Sequence, residues 1–97
     1  MKGAEDIRQL EKVFKGLANR RRLLILRLLS KRKELSVTEI AQAIHLSFTS
    51  TSKHLGMLRQ LDIVDRRQES LTVYYRLSDT LPSAAKEVLS HISNLPR

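Results

Sequence analysis

Apolar positions recur along most of this chain at helical spacing. Within residues 4–17, Ile7, Leu10, Val13, Phe14 and Leu17 make an i, i+3, i+7 stripe on an otherwise charged segment. Gly16 and Asn19 mark a break, and Asn19 also suits the N-cap of whatever follows. The following run, LLILRLL at residues 23–29, is apolar nearly all round, which predicts a central helix touched from several sides. Arg20, Arg21 and Arg22 crowd its first turn against the helix dipole. The ordinary expectation for them is a solvated charge run; the alternative is phosphate contact by one of the three. A polar connection at residues 31–34 leads into a brief strand within residues 34–37. Ser36 or Val37 then starts a short helix with Ile40, Ala43 and Ile44 inward. His45 and Leu46 read as a tight turn, His45 as a turn residue and not a ligand.

Residues 47–61, SFTSTSKHLGMLRQL, organise the chain. At about 100° per residue, Phe48, Thr51, Leu55 and Leu58 fall on one face, Thr49, Ser50, Lys53, Met57 and Gln60 on the opposite one, and His54 beside the latter. Ser47 stands at the N-cap, where a hydroxyl takes an orphan N–H of a Thr- and Ser-rich first turn of poor helix propensity. Short hydrogen-bonding side chains at a helix N-terminus suit close approach to phosphates and base edges. Two short helices joined by a turn of about four residues carry the helix-turn-helix signature, with the second as recognition element.

Beyond Leu61, Asp62 takes a helix-terminating position that tolerates left-handed geometry. Residues 63–67 and 71–77 predict two strands of a hairpin turning at Gln68, Glu69 and Ser70, with Val73, Tyr75 and Leu77 on one face. A basic hairpin directly behind a recognition helix is a wing, and Arg66 and Arg67 are placed to reach a minor groove or clamp phosphates. Ser78 or Asp79 is expected to cap a last helix starting near Leu81, with Pro82 in its first turn. Leu81, Ala85, Val88, Ile92 and Leu95 line one face of it, flanked by Ala84 and Leu89. Two terminal helices with long apolar stripes exceed what so small an interior covers. A two-fold dimer through Ile7, Leu10, Phe14, Leu81, Ala85, Val88, Leu89 and Ile92 is the economical solution, and an antiparallel helix pair within one subunit the alternative. Residues 1–97 thus predict a single domain, mainly α with a small β-hairpin: a winged helix-turn-helix of five helices and a two-stranded wing.

Charge narrows the partners. Eighteen Lys and Arg against ten Asp and Glu leave a formal charge of +8 on 97 residues, an excess that favours nucleic acid or an anionic membrane. The sequence has no apolar run of spanning length and no signal-like N-terminus, which argues against the membrane. It has no cysteine, which excludes disulfides, thiolate metal sites and thiol redox sensing and is compatible with the reducing cytoplasm, the expected location. Two prolines, three glycines and 41% hydrophobic residues argue against disorder. Ser50 and His54, four apart, mimic a nucleophile and base. No acidic residue is placed to orient the His, and no Gly-rich phosphate loop or oxyanion nest is legible, so no enzyme is expected.

In its order of elements and in three segments the chain resembles the ArsR/SmtB family of bacterial and archaeal repressors. FKGLANRRRLLILRLL resembles the family's opening helix pair, with Leu17, Ala18, Asn19, Arg22, Leu23 and Ile25 fitting the usual pattern; SFTSTSKHLGMLRQLDIV resembles its recognition segment and VYYRL its second wing strand. The resemblance implies a winged-helix homodimer that binds an operator and leaves it when a signal arrives. Several departures qualify it. Where the family's soft-metal sensors carry two cysteines, in a pattern like ELCVCDL, this chain has ELSVTEI, with the hydroxyls of Ser36 and Thr38 in place of thiolates. At the family's other site, in the last helix, Asp79 fits the first position but Leu81 and Ile92 stand where histidines would, and His91 is one residue off. The expectation is metal independence with no cofactor; an atypical site would have to use Asp79, Glu87 or His91. Phe48 replaces a polar residue that often helps contact DNA, Thr51 replaces a buried aliphatic, and Gly56 weakens its helix by up to ~1 kcal/mol relative to Ala.

These readings converge on a sequence-specific regulator of transcription, in the first instance a repressor, binding duplex DNA as a homodimer at an inverted-repeat operator. Thr49, Ser50 and Lys53 are expected nearest bases and phosphates. Ser47 and Ser52 serve phosphate contact or capping and packing, His54 serves the backbone or the DNA-facing rim, and Arg66 and Arg67 hold flanking phosphates. The alternatives are a winged helix that binds protein and a non-specific architectural DNA binder; the basic recognition face and wing favour specific DNA binding. No metal ligand, thiol or pocket identifies an inducer.

Overall fold

A computed structural model describes residues 3–96, and these form five helices and three strands. They are α1 (Gly3–Leu17), α2 (Arg20–Lys31), β1 (Leu35–Ser36), α3 (Val37–Ile44), α4 (Phe48–Gln60), β2 (Val64–Glu69), β3 (Thr72–Leu77) and α5 (Ser83–Ser93). The order is the expected winged helix-turn-helix. The brief strand expected within residues 34–37 is β1, and it pairs with β3 (Leu35 opposite Tyr75, Ser36 opposite Tyr74), so the expected two-stranded wing belongs to a three-stranded antiparallel sheet ordered β1-β3-β2.

Helix α2 is central because its apolar residues from Leu23 to Leu29 face the core from several sides. Ile25, Leu26 and Leu29 are buried, Leu23, Leu24 and Leu28 pack partly against the core, and the helix touches α1, α3, α4, α5 and β3. Asn19 begins it as expected, its side-chain oxygen accepting from Arg22 N at 3.1 Å. From α1 only Val13 and Leu17 of the apolar stripe are buried, while Ile7, Leu10 and Phe14 remain exposed. Gly16 lies so close to Leu61, at the end of α4, that a β-carbon there would displace the leucine side chain.

Helix α3 opens with a capping box: Ser36 Oγ accepts from Glu39 N at 3.1 Å, and Glu39 Oε1 accepts from Ser36 N at 2.8 Å. Hydrogen bonding of the Glu39 carboxyl to the Ser36 backbone N–H, and then to the Ser36 hydroxyl, holds its pKa below the usual value. Ile40 and Ile44 face inward as expected, but Ala43 is exposed and Ala41 takes the buried position. His45 closes the helix in the left-handed region (φ 56°), and Leu46 N reaches back to Ala41 O at 3.0 Å. Asp62, at φ 60°, ends α4 in the same way.

Three details depart from the sequence reading. Strand pairing continues to Glu69 opposite Thr72, leaving the two-residue loop Ser70-Leu71 in place of a turn at Gln68-Glu69-Ser70. Ser70 has φ 56°, the positive angle that a type II′ hairpin needs at its first loop position. Helix α5 starts at Ser83, not near Leu81, with Pro82 as a flanking residue that makes no side-chain cap. A residue before proline is disfavoured in the helical region, which keeps Leu81 out of the helix. Ser78, expected as a cap, instead accepts from Thr80 N at 3.1 Å. The third departure is Phe48, 57% exposed where the periodicity placed it inward. At the first position of α4 it overhangs the core edge, with no preceding turn to cover it.

Thr51 is fully buried and its hydroxyl has no hydrogen-bond partner among the described residues. Replacing a buried unpaired hydroxyl by a methyl removes its desolvation cost with little change of shape. Thr51→Val is expected to raise stability by ~1–2 kcal/mol, read as a higher urea midpoint at unchanged slope. An unchanged midpoint would show that the hydroxyl finds a partner in solution.

Candidate nucleic-acid interface

The packing of α4 leaves a defined face outside. Thr51, Leu55 and Leu58 are buried against the core, so Thr49, Lys53, Met57 and Gln60 are exposed together and Ser50 and Ser52 are half-exposed at the edges. Ser47 accepts from Ser50 N at 3.1 Å, which fixes the first turn and commits one lone pair of its hydroxyl to capping. The exposed set is short and polar with one ammonium, a composition suited to a groove lined by phosphates and base edges.

The three consecutive arginines divide their work. Arg20 is exposed. Arg21 donates to Ile44 O at 3.0 Å, satisfying a terminal carbonyl of α3. Arg22 is buried to 8% exposure, which no charge-run reading predicts. Its Nε donates to Gly16 O and its Nη2 makes a long 3.5 Å contact to Lys15 O, both carbonyls at the end of α1. Nη1 meets His54 Nδ1 at 3.1 Å and Met57 Sδ at 3.3 Å, both on α4. The only advance signal for this role is the single Arg among three that fits the family pattern.

His54 is therefore a structural acceptor. Arginine can only donate, so Nδ1 accepts and the ring proton sits on Nε2. Burial, then the charges of Arg22 and Arg21, hold its pKa below the usual histidine value. The Ser50–His54 pair has no catalytic geometry: Nδ1, which an orienting carboxylate would engage, is taken by a cation.

In the wing, Arg66 is exposed and makes only a 3.4 Å contact to Gln68. Arg67 is committed elsewhere. It donates to both oxygens of Glu34 (3.0 and 2.8 Å) and to Glu69 (2.6 Å), and its guanidinium lies 4.6 Å from the Tyr74 ring centroid. These bonds raise the arginine pKa further and lower that of Glu34. The sequence reading paired Arg66 with Arg67 as equals; the structure uses Arg67 to tie the wing to the α2–β1 connection.

Of the expected interface positions, Ile7, Leu10 and Phe14 on α1 are exposed and Leu81, Val88 and Leu89 half-buried. Ala85 and Ile92 are buried within the protomer, where α5 packs on α1 and α2, and are not available to a partner. Asp79 pairs with Arg76 at 3.2 Å, and among the described residues no three His, Cys, Asp or Glu side chains gather as a metal site would require. No helix among them is long and apolar enough to cross a membrane.

A winged helix-turn-helix with a short, polar, basic outer face on its second helix defines a class of transcription regulators. Residues 19–66 match the bacterial regulatory proteins of the arsR family. The chain is 38% identical to the transcriptional activator HlyU of Vibrio cholerae over 95% of its own length and 92% of the relative's. It is 36% identical to the arsenical resistance operon repressor of Escherichia coli, over 79% of this chain and 66% of that one. In structure it superposes with a TM-score of 0.77, at 33% identity over 95% of this chain and 81% of the other, on a homodimeric winged helix-turn-helix DNA-binding domain of Mycobacterium bovis, described as a possible ArsR-family regulator. The chain belongs to the ArsR family of transcriptional regulators, which are not enzymes.

The depressed His54 pKa sets a pH dependence. Above about pH 6.5, the ordinary histidine value, folded and unfolded chains both hold the ring neutral and stability is full. As pH falls below that value the unfolded chain takes the proton first, so stability drops until the folded pKa is passed. His54→Asn, which keeps an acceptor near Nδ1, is expected to show a smaller loss of urea midpoint between pH 7.5 and pH 5.5 than the parent. Equal losses would assign the acid sensitivity to other groups.

Proposed function

We propose that this protein regulates transcription by binding duplex DNA as a homodimer, each protomer inserting α4 into a major groove of an inverted-repeat operator. The carrying observation is the division of α4: Thr51, Leu55 and Leu58 buried, Thr49 and Lys53 exposed opposite them at the end of the helix that meets base edges. Thr49, Ser50 and Lys53 contact bases and adjacent phosphates. Ser47 and Ser52 support the first turn and its phosphate, and His54 positions α4 from behind. Arg66 supplies the wing's mobile cation, while Arg67 holds the wing at its angle.

The dimer uses the exposed α1 residues Ile7, Leu10 and Phe14, joined by Leu81, Val88 and Leu89 near α5. Three large apolar side chains on one helix, exposed by 71%, 44% and 51%, support a self-association surface. The homodimeric M. bovis neighbour supports the same assembly. A two-fold axis then spaces the half-sites by one helical turn, about 10 bp, or a multiple of it. The named relatives include both an activator and a repressor. The absence of cysteine throughout the chain and the use of Ser36 as a helix cap favour a regulator that works without a thiolate-bound metal.

The test is titration of labelled duplex from the gene's own upstream region, beside a scrambled duplex, at rising salt. The expected result is a preference of ~10³-fold or more at physiological salt with two chains per site. Equal affinity for both duplexes would reduce the interaction to charge alone. Lys53→Ala should weaken binding and lower the slope of log affinity against log salt by about 0.9 for each phosphate it leaves unneutralised, one per protomer; an unchanged slope removes Lys53 from the interface. Phe14→Glu should convert the dimer to monomer in sedimentation velocity at micromolar protein, and a persisting dimer moves the interface off α1.

A further inference from the structure

The exposed aromatic at the start of the recognition helix stands outside the hydrophobic core. Phe48 is the first residue of α4 and keeps 57% of its surface in solvent. One side of it borders an open groove between α3 and α4 formed by Thr38, Ala41, Gln42, His45 and Leu46. The ring thus borders open space along α3 and is otherwise largely in solvent. At 100° per residue it lies one step round the helix from Thr49 and beside Ser52, on the same N-terminal turn that meets base edges in this fold.

The major-groove edge of thymine carries a C5-methyl group, the one apolar feature in that groove, and phenylalanine is among the side chains that contact it. We propose that Phe48 is a specificity-determining residue that reads a thymine methyl in each half-site. This rests on the DNA-binding mode proposed above and adds the base class that the polar residues alone do not select. Charge complementarity commits the ring to DNA: Lys53 and Arg59 are exposed on the same helix and the chain carries +8. Solvent exposure of a large ring is unfavourable in the free protein, and packing it on a methyl group removes apolar area from both partners. A polar side chain at this position would instead select a hydrogen-bonding base edge.

The experiment selects duplexes from a random pool with the full-length protein, then replaces each thymine of the selected site singly by deoxyuridine, which deletes only the C5-methyl. One symmetry-related pair of thymines should be sensitive, each replacement weakening binding about fourfold, the factor corresponding to ~0.8 kcal/mol for one buried methyl. In Phe48→Ala the thymine and deoxyuridine duplexes should bind equally, and in Phe48→Leu part of the preference should return. Thermal melts should match the parent, because the ring lies outside the core. A selected site without a sensitive thymine, or a preference of the parent's size in Phe48→Ala, overturns the proposal while leaving DNA binding intact. A shift in sedimentation on Phe48→Ala would reassign the ring to contact between copies and also overturn it. Failure of the pool to enrich any sequence removes the DNA-binding mode and this inference together.

Discussion

One buried guanidinium joins the parts of this molecule that have to act together. Arg22 sits at the start of α2, donates into the carbonyl end of α1, and meets His54 and Met57 on α4. A buried cation is tolerable only if its donors are satisfied. Here the acceptors are the terminal carbonyls of α1, whose partial negative charge suits a cation, and a neutral imidazole. The consequence is mechanical as well as energetic. The exposed apolar stripe of α1 and the polar face of α4 are held on one frame, so motion of either helix must disturb the same set of bonds.

The wing is restrained by a second, more solvent-exposed device. Arg67 bridges Glu34 and Glu69 and stacks on Tyr74, while β1 fastens β3 from its other edge. Exposed ion pairs contribute little singly, but a bidentate pair with a stacked ring fixes direction. That restraint leaves Arg66 as the freer wing cation. Adjacent arginines on a strand point to opposite faces, so identical residue types acquire opposite duties.

Much of the architecture was legible in the sequence because it follows from periodicity and caps. Asn19, Ser36 and Ser47 start helices by chemistry that needs no tertiary information, and His45 or Asp62 can end them because both tolerate a left-handed backbone. What was not legible depends on neighbours distant in the chain. The burial of Arg22 requires His54, thirty-two residues on. The commitment of Arg67 requires Glu34, thirty-three residues back. Ala85 and Ile92 carry the same apolar signal as Val88 and Leu89, yet packing on α1 and α2 consumes only the first pair. At the recognition helix, periodicity identified the outer face but misjudged Phe48, since a first-turn residue has no preceding turn over it.

Ser36 shows how a helix cap and a metal ligand compete for one position. Its hydroxyl and its backbone N–H are both engaged in the capping box with Glu39, at the position of the first cysteine in the soft-metal pattern that ELSVTEI resembles. A thiol is a weak acceptor, and a metal-bound thiolate has its own geometry to meet. Ser36→Cys would loosen the start of α3 before any second ligand existed to compensate. A soft-metal site built at the start of α3 would therefore begin from a less stable chain, so that folding alone weighs against a thiolate at this position.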